Sequence, residues 1–149
     1  MPTATFLPVF RVSVQSSELA VREALKSLLS GLMPLSLDLE EAGTVEIVMA
    51  EALNNIVEHA YPDGDSKGSI DITCEHQTDG LHLTVVDQGR CMPDGRMPLG
   101  TAANVGVALN DMPEGGFGWF LIKDLAKDVS YQRIGSENWL TLRLAVAAI

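Results

Sequence analysis

The segment 46–61, EIVMAEALNNIVEHAY, carries polar side chains whose types and spacing could do chemistry. Glu51, Asn55, Glu58 and His59 fall at i, i+4, i+7 and i+8, so an α-helix would place them on one stripe. A carboxylate one turn from a carboxamide could orient a hydroxyl nucleophile and ligate Mg²⁺. The solvated face of an ordinary amphipathic helix has the same composition. This segment alone leaves both interpretations open.

Two later motifs add to this stripe. Asp87 and Gly89 belong to an Asp-Gln-Gly sequence that ends a predicted strand, which places the carboxylate near the edge of the sheet and partly buried. A buried carboxylate must find donors, such as a ligand N–H, although an Asx-type turn also explains the motif. Gly115, Gly116 and Gly118 open a predicted helix, where free N–H groups and the helix dipole favour an anion. The Gly-Lys-Ser/Thr sequence of a Walker loop is absent.

Together the three motifs resemble the Bergerat-type ATP-binding fold of gyrases, heat-shock-ninety chaperones, histidine kinases and mismatch-repair ATPases. The motif sequences are most similar to those of the bacterial anti-sigma-factor serine kinases, and the resemblance covers roughly residues 10–145. The motif positions that match are Glu51, Asn55, His59, Ala60 and Tyr61 in the first box, Asp87 and Gly89 in the second, and Gly115, Gly116, Gly118, Leu121 and Ile122 in the third.

The resemblance implies an ATP-dependent protein serine/threonine kinase that phosphorylates a STAS-domain antagonist, sequesters a sigma factor or similar effector, and forms a homodimer. It makes Glu51 the general base, Asn55 the Mg²⁺ ligand and Asp87 the acceptor for adenine. For His59 an ordinary polar role stays open, and Thr141 fits equally well as a plain strand threonine. The nucleotide-binding positions that it implies are Asn55, His59, Asp87, Gly89, Gly115, Gly116, Phe117, Gly118 and Thr141.

A function of a different class is also compatible with the sequence. Cys91 stands where the second box of the family has its second glycine. It lies within an unusual segment, 88–116, that contains several glycines and prolines. A long aperiodic segment of this kind is typical of a lid over a ligand. The alternative is therefore a nucleotide-responsive binding module, an anti-sigma factor without kinase activity.

Composition limits the remaining choices. The chain has 149 residues, which fits one domain, and 20 acidic against 10 basic side chains give a net charge of −10. This balance argues against nucleic-acid binding and is compatible with a basic protein partner. Two cysteines do not make a disulfide framework, and the sequence contains neither a secretory leader nor an apolar stretch of membrane-spanning length. We expect a cytoplasmic protein without a membrane partner.

The periodicity of the chain predicts the elements that position these motifs. The order β-α-α-β-β-lid-α-β-β favours an α+β fold, a two-layer α/β sandwich with a mixed, mainly antiparallel sheet and helices on one face. The predicted elements are an edge strand at 5–14, a helix from Ser16 or Ser17 to Gly31, a helix capped by Asp38 and running to about Ala60, a hairpin from Gly68 to Asp87, a helix from Trp119 to about Lys127, and a hairpin of 128–134 and 139–146 that turns at 135–138.

Overall fold

The computed structural model describes residues 6–61, 68–91 and 116–146. The element order confirms the prediction for these ranges. In sequence the elements are β1 (Phe10–Gln15), α1 (Glu18–Gly31), a 3₁₀ turn (Met33–Leu35), α2 (Leu39–Asn55), a π-helical turn (Ile56–Ala60), β2 (Ser69–Gln77), β3 (Gly80–Asp87), α3 (Gly116–Leu125), β4 (Lys127–Ile134) and β5 (Glu137–Leu144).

The strands form one sheet in the order β1-β2-β3-β5-β4, and each described pair is antiparallel. β1 is an edge strand, as predicted, although Pro8, whose missing N–H suggested that position, lies before the strand, which begins at Phe10. The strand that ends at Asp87, β3, is the middle strand of the five, and Asp87 lies at its end, as the sequence predicted. The final hairpin adds β5 and β4 beyond β3.

One face of the sheet and the three helices enclose the core. Alternate residues of the central strands point into it, as the period of two predicts, and α1 and α2 contribute their apolar stripes. This arrangement confirms the two-layer α+β sandwich. The fully buried side chains with the largest volumes are Trp119, Leu28, Leu32, Met49, Leu53, Ile70, Ile72, Leu81, Leu83, Ile122, Leu144 and Val45.

Side-chain caps begin both long helices where the sequence predicted them. Ser17 Oγ accepts the N–H of Ala20 at 2.9 Å, which selects Ser17 over Ser16 as the cap of α1. Asp38 and Glu41 form a reciprocal capping box at the start of α2, with N–H to carboxylate distances of 2.7 and 3.1 Å. Caps of this kind contribute about 1 kcal/mol each. The start of α2, and hence the register of the polar stripe on it, is therefore fixed locally.

Several boundaries differ from the prediction. β1 starts at Phe10 rather than at residue 5, after Pro8. α3 ends at Leu125, and Lys127 already belongs to β4. β5 starts at Glu137, so Asn138 lies in a strand and not in the turn. Of the predicted lid, residues 92–115 lie outside the described residues.

Candidate active site

A pocket that is open to solvent lies where the end of α2 meets the end of β3 and the start of β5. The structure thus brings the first and second motifs together, although they are separated along the chain by a complete β-hairpin. α3, which begins at Gly116, packs against α2. The residues that line the pocket are Asn55, Ile56, Ala60, Asp87, Arg90, Tyr131 and Asn138.

Asn55 closes the last α-helical turn of α2, and its side chain is buried with 3% exposure. Its Nδ2 donates to the main-chain carbonyl of Glu51 at 2.8 Å, so the amide oxygen is the atom that it can offer to a ligand. Glu51 is half-buried one turn earlier on the same helix. A carboxamide oxygen can ligate Mg²⁺ without repelling phosphate groups as a carboxylate would. The donor chemistry here therefore fits a Mg²⁺–nucleotide complex.

The α-helical stripe of polar residues does not continue unchanged beyond Asn55. Residues Ile56–Ala60 form a π-helical turn, whose i→i+5 hydrogen bonding places more residues in each turn than an α-helix does. Glu58 is exposed in this turn. The side chain of His59 lies outside the described part of the chain. Single π turns occur frequently at functional sites, which agrees with the position of this one beside the pocket.

Asp87 ends the middle strand and is more buried than the sequence suggested, with 4% exposure. Its Oδ1 accepts the N–H of Gly89 at 2.9 Å and Nδ2 of Asn138 at 2.7 Å. Burial raises the pKa of this carboxyl, while the two hydrogen bonds and the charge of Arg133 act in the opposite direction. The Asx-type turn considered from sequence is therefore present. It is compatible with a ligand role in the pocket, because both donors reach Oδ1 and not Oδ2.

The end of the first motif holds the second motif in place. The carbonyl of Ala60 accepts the N–H of Arg90 at 2.9 Å. The Tyr61 hydroxyl accepts the N–H of Gln88 at 2.8 Å and donates to the carbonyl of Ser69 at 3.0 Å. A Cβ on Gly89 would lie 2.4 Å from the Ala60 carbonyl oxygen, so only glycine fits this contact. Alanine, tyrosine and glycine in these motifs thus have structural roles at the contact between the two motifs.

Sequence reasoning missed the residues that complete the wall of the pocket. Asn138 faces Asp87 across the β3–β5 pair, and Tyr131 and Arg133 reach it from the neighbouring strand β4. The sequence Gly-Ser-Glu-Asn has a typical turn composition and predicts a turn at Asn138. The signal that could have found it is spacing: Asn138 lies two, four and six positions before the leucines at 140, 142 and 144. In a strand this even spacing puts Asn138 on the same buried face as the leucines.

The structure does not bring Thr141 to the pocket. It pairs with Thr84 on β3, three positions from the Asp87–Asn138 pair, and an odd offset along a strand points to the opposite face of the sheet. Gly115 lies outside the described residues, as does the side chain of Phe117, while Gly116 and Gly118 belong to the first turn of α3. Among the described residues, three or more histidine, cysteine, aspartate or glutamate side chains do not cluster in a way that could hold a metal ion.

Comparison with known proteins agrees with this geometry. A family model described as a histidine kinase-like ATPase domain matches residues 14–144. The chain belongs to this family. It is 34% identical over 87 residues to the serine-protein kinase RsbW of Halalkalibacterium halodurans, which covers 57% of this chain and 51% of that protein. It is 32% identical over 98 residues to RsbW of Staphylococcus aureus strain JH9, covering 62% of this chain and 57% of that protein.

The chain spans about half the length of the curated relatives that it matches. Its fold is similar to a crystal structure of the RsbU and RsbW domains of a Mycobacterium tuberculosis protein, with a TM-score of 0.63 at 19% identity. That similarity covers 93% of this chain and 33% of the other. Within the described residues, none of the helices has the combined length and apolar character needed to cross a membrane.

Proposed function

We propose that this chain is an ATP-dependent protein serine kinase of the partner-switching type. It would phosphorylate a serine on a STAS-domain antagonist and sequester a sigma factor or a similar effector. The observations that support this most directly are the meeting of the buried Asn55 with Asp87 in one pocket and the position of Glu51 one helical turn before Asn55. The similarity to proteins named serine-protein kinase RsbW adds support from sequence.

In this proposal each side chain has one task. Oδ2 of Asp87 accepts a hydrogen bond from the 6-amino group of adenine, and Oδ1 of Asn55 holds Mg²⁺. When bound, Mg²⁺ neutralises charge on the phosphates. Glu51 takes the proton of the substrate serine hydroxyl while the serine oxygen attacks the terminal phosphorus of ATP. The bond from that phosphorus to the bridging oxygen breaks, and ADP leaves. The glycines at 115, 116 and 118 offer N–H groups to the phosphates.

The test is transfer of the terminal phosphate from ATP, with Mg²⁺, to the STAS-domain protein encoded nearest this chain. Glu51→Gln should reduce transfer by a factor of about 100 or more while ATP still binds, since a general base contributes roughly 10²–10⁴-fold. Glu46→Gln is the matched control, because Glu46 is an exposed acid on the same helix. Full transfer by Glu51→Gln would refute the assignment of the base.

A binding module without kinase activity is the second candidate. Cys91 occupies a position that is glycine in the family's second box, and its sulfur lies 3.6 Å from the Tyr131 hydroxyl oxygen beside the pocket. A protein of this class would bind ATP and ADP with different effects on its partner but transfer no phosphate. Tight ATP binding and no phosphate transfer to any STAS-domain protein from the same genome would favour it.

The remaining proposals concern the setting of this activity. A homodimer is expected from the family resemblance, and sedimentation of the purified chain would test it. The net charge of −10 favours a basic surface on the effector. We place the protein in the cytoplasm, where its two unpaired cysteines would stay reduced.

A further inference from the structure

Asn138 uses both ends of its amide in hydrogen bonds at the wall of the pocket, and it is buried with 2% exposure. Its Nδ2 donates to Oδ1 of Asp87 at 2.7 Å, to the carbonyl of Arg90 at 3.0 Å and to that of Gly89 at 3.2 Å. All three partners belong to the second motif. Asn138 therefore connects β5 to the segment that would recognise the base.

The amide of Asn138 has only one orientation that satisfies its neighbours. Its Oδ1 accepts from the Tyr131 hydroxyl at 2.8 Å and from Nη1 of Arg133 at 2.9 Å. The same Nη1 also donates to the carbonyl of Gly89 at 2.7 Å. If the amide were rotated, its NH₂ group would face two donors and its oxygen would face Asp87 and two carbonyls. Tyr131 and Arg133 on β4 thus fix the direction in which Asn138 donates.

This fixed donor decides what Asp87 can offer to a ligand. Oδ1 of Asp87 is engaged by Asn138 and by the N–H of Gly89, so the carboxylate is held in one rotational position with Oδ2 as the remaining acceptor. An acceptor in a buried pocket favours a base that presents an N–H group at that point, because a base without one leaves the carboxylate unsatisfied.

We propose that Asn138 is a positioning residue for base selection: it orients Asp87 so that the pocket discriminates in favour of a purine with a 6-amino group. The proposal rests on the proposed ATP-binding function and deepens it. Asn138 acts through Asp87 and does not itself contact the base. Tyr131 and Arg133 contribute indirectly, since they hold the amide in its donating orientation.

The experiment measures the dissociation constants of ATP and of purine riboside 5′-triphosphate, which lacks the 6-amino group, for the full chain with Mg²⁺. The wild-type protein should bind ATP about tenfold or more tightly than the analogue, as expected for a hydrogen bond to a charged group. Asn138→Ser should lose most of that ratio, because ATP binding weakens towards that of the analogue. Asn54→Ser is the matched control, since Asn54 is exposed on α2, and its ratio should equal that of the wild type.

Two results would overturn the proposal while leaving the proposed function intact. In one, Asn138→Ser weakens both nucleotides by the same factor, which indicates a merely structural role. In the other, neither dissociation constant differs from that of the wild type. Absence of nucleotide binding by the wild-type chain would instead refute the proposed function together with this inference. If Asn138→Ser does not fold, the exposed Arg133→Ala variant gives the decision, because it should lower the ratio in the same direction by a smaller factor, and an unchanged ratio would contradict the proposal.

Discussion

Nδ2 of Asn55 lies 2.8 Å from the main-chain carbonyl oxygen of Glu51, one helical turn away. This contact fixes the amide so that its NH₂ group faces the helix and its oxygen is the atom available to a ligand. The same turn of helix thus positions both the proposed base and the proposed Mg²⁺ ligand. Their separation depends on backbone geometry alone, since an α-helix repeats every 3.6 residues.

Replacing Asn55 with Asp tests this orientation. The variant has nearly the same shape but cannot donate to the Glu51 carbonyl, and it places a second negative charge near the phosphates. We expect loss of Mg²⁺-dependent ATP binding by about tenfold or more, as like charges at short range are costly in a buried pocket. Titration with ATP in the presence and absence of Mg²⁺ measures this effect. Asn54→Asp makes the same chemical change at the exposed neighbouring position and should bind as the wild type does.

The buried carboxyl of Asp87 should make stability depend on pH. Burial raises its pKa above the ordinary value, so the folded protein retains this proton to a higher pH than the unfolded chain does. The contribution of this group to stability is therefore fully present below the ordinary pKa and is lost as pH rises through the raised value.

Asp87→Asn removes that titration because an amide does not ionise. The Asn oxygen can still accept from Gly89 and Asn138. We expect the variant to be at least as stable as the wild type at neutral pH and to lack the stabilisation by ATP. Thermal unfolding across the acidic and neutral range, with and without ATP, measures both effects. Asp124→Asn, an exposed site on α3, should keep both the pH dependence and the response to ATP. A variant less stable than the wild type at neutral pH would contradict the argument.

Gly89→Ala should destabilise the protein by about 1–3 kcal/mol, the usual cost of overpacking. The added Cβ would lie 2.4 Å from the Ala60 carbonyl oxygen, which also accepts the N–H of Arg90. Gly43→Ala is the matched substitution: apart from the neighbouring residues and backbone of its own helix, nothing lies within 4 Å of the added Cβ, and Gly43 is in the helix interior. That variant should gain about 0.5–1 kcal/mol. Denaturant unfolding of the pair measures the contrast, and equal stabilities would refute the close packing of the two motifs.

The two thiols should differ greatly in reactivity. Burial at 1% exposure raises the pKa of Cys74 to about 12, so its reactive thiolate is scarce at neutral pH. Cys91 is exposed. With a chromogenic disulfide reagent, the folded protein should show one fast thiol, and unfolding in denaturant should release the second. Cys91→Ser should abolish the fast phase and Cys74→Ala should retain it; fast reaction of Cys74 in the folded chain would contradict its burial.

The sequence by itself determined the elements of this protein and the chemistry of each motif taken singly. Alternation along β2 and β3, the cap at Asp38 and the one-turn spacing of Glu51 and Asn55 are local properties, because hydrogen bonds and side-chain directions within a helix or strand follow from nearby residues. The sequence also favoured antiparallel pairing. It misjudged Asn138, because a turn-like composition gives no information about which strand lies beside it.

Only the tertiary structure decided which motifs meet. Asp87 and Asn138 are 51 residues apart, and their contact exists because β5 pairs with β3 in one particular register. The same register puts Thr141 on the opposite face, since side chains alternate along a strand and its distance from Asn138 is odd. Register depends on how the core packs as a whole, because a slip of one residue would turn every buried leucine of β5 towards solvent. That cooperative choice cannot be found in any single segment of the chain.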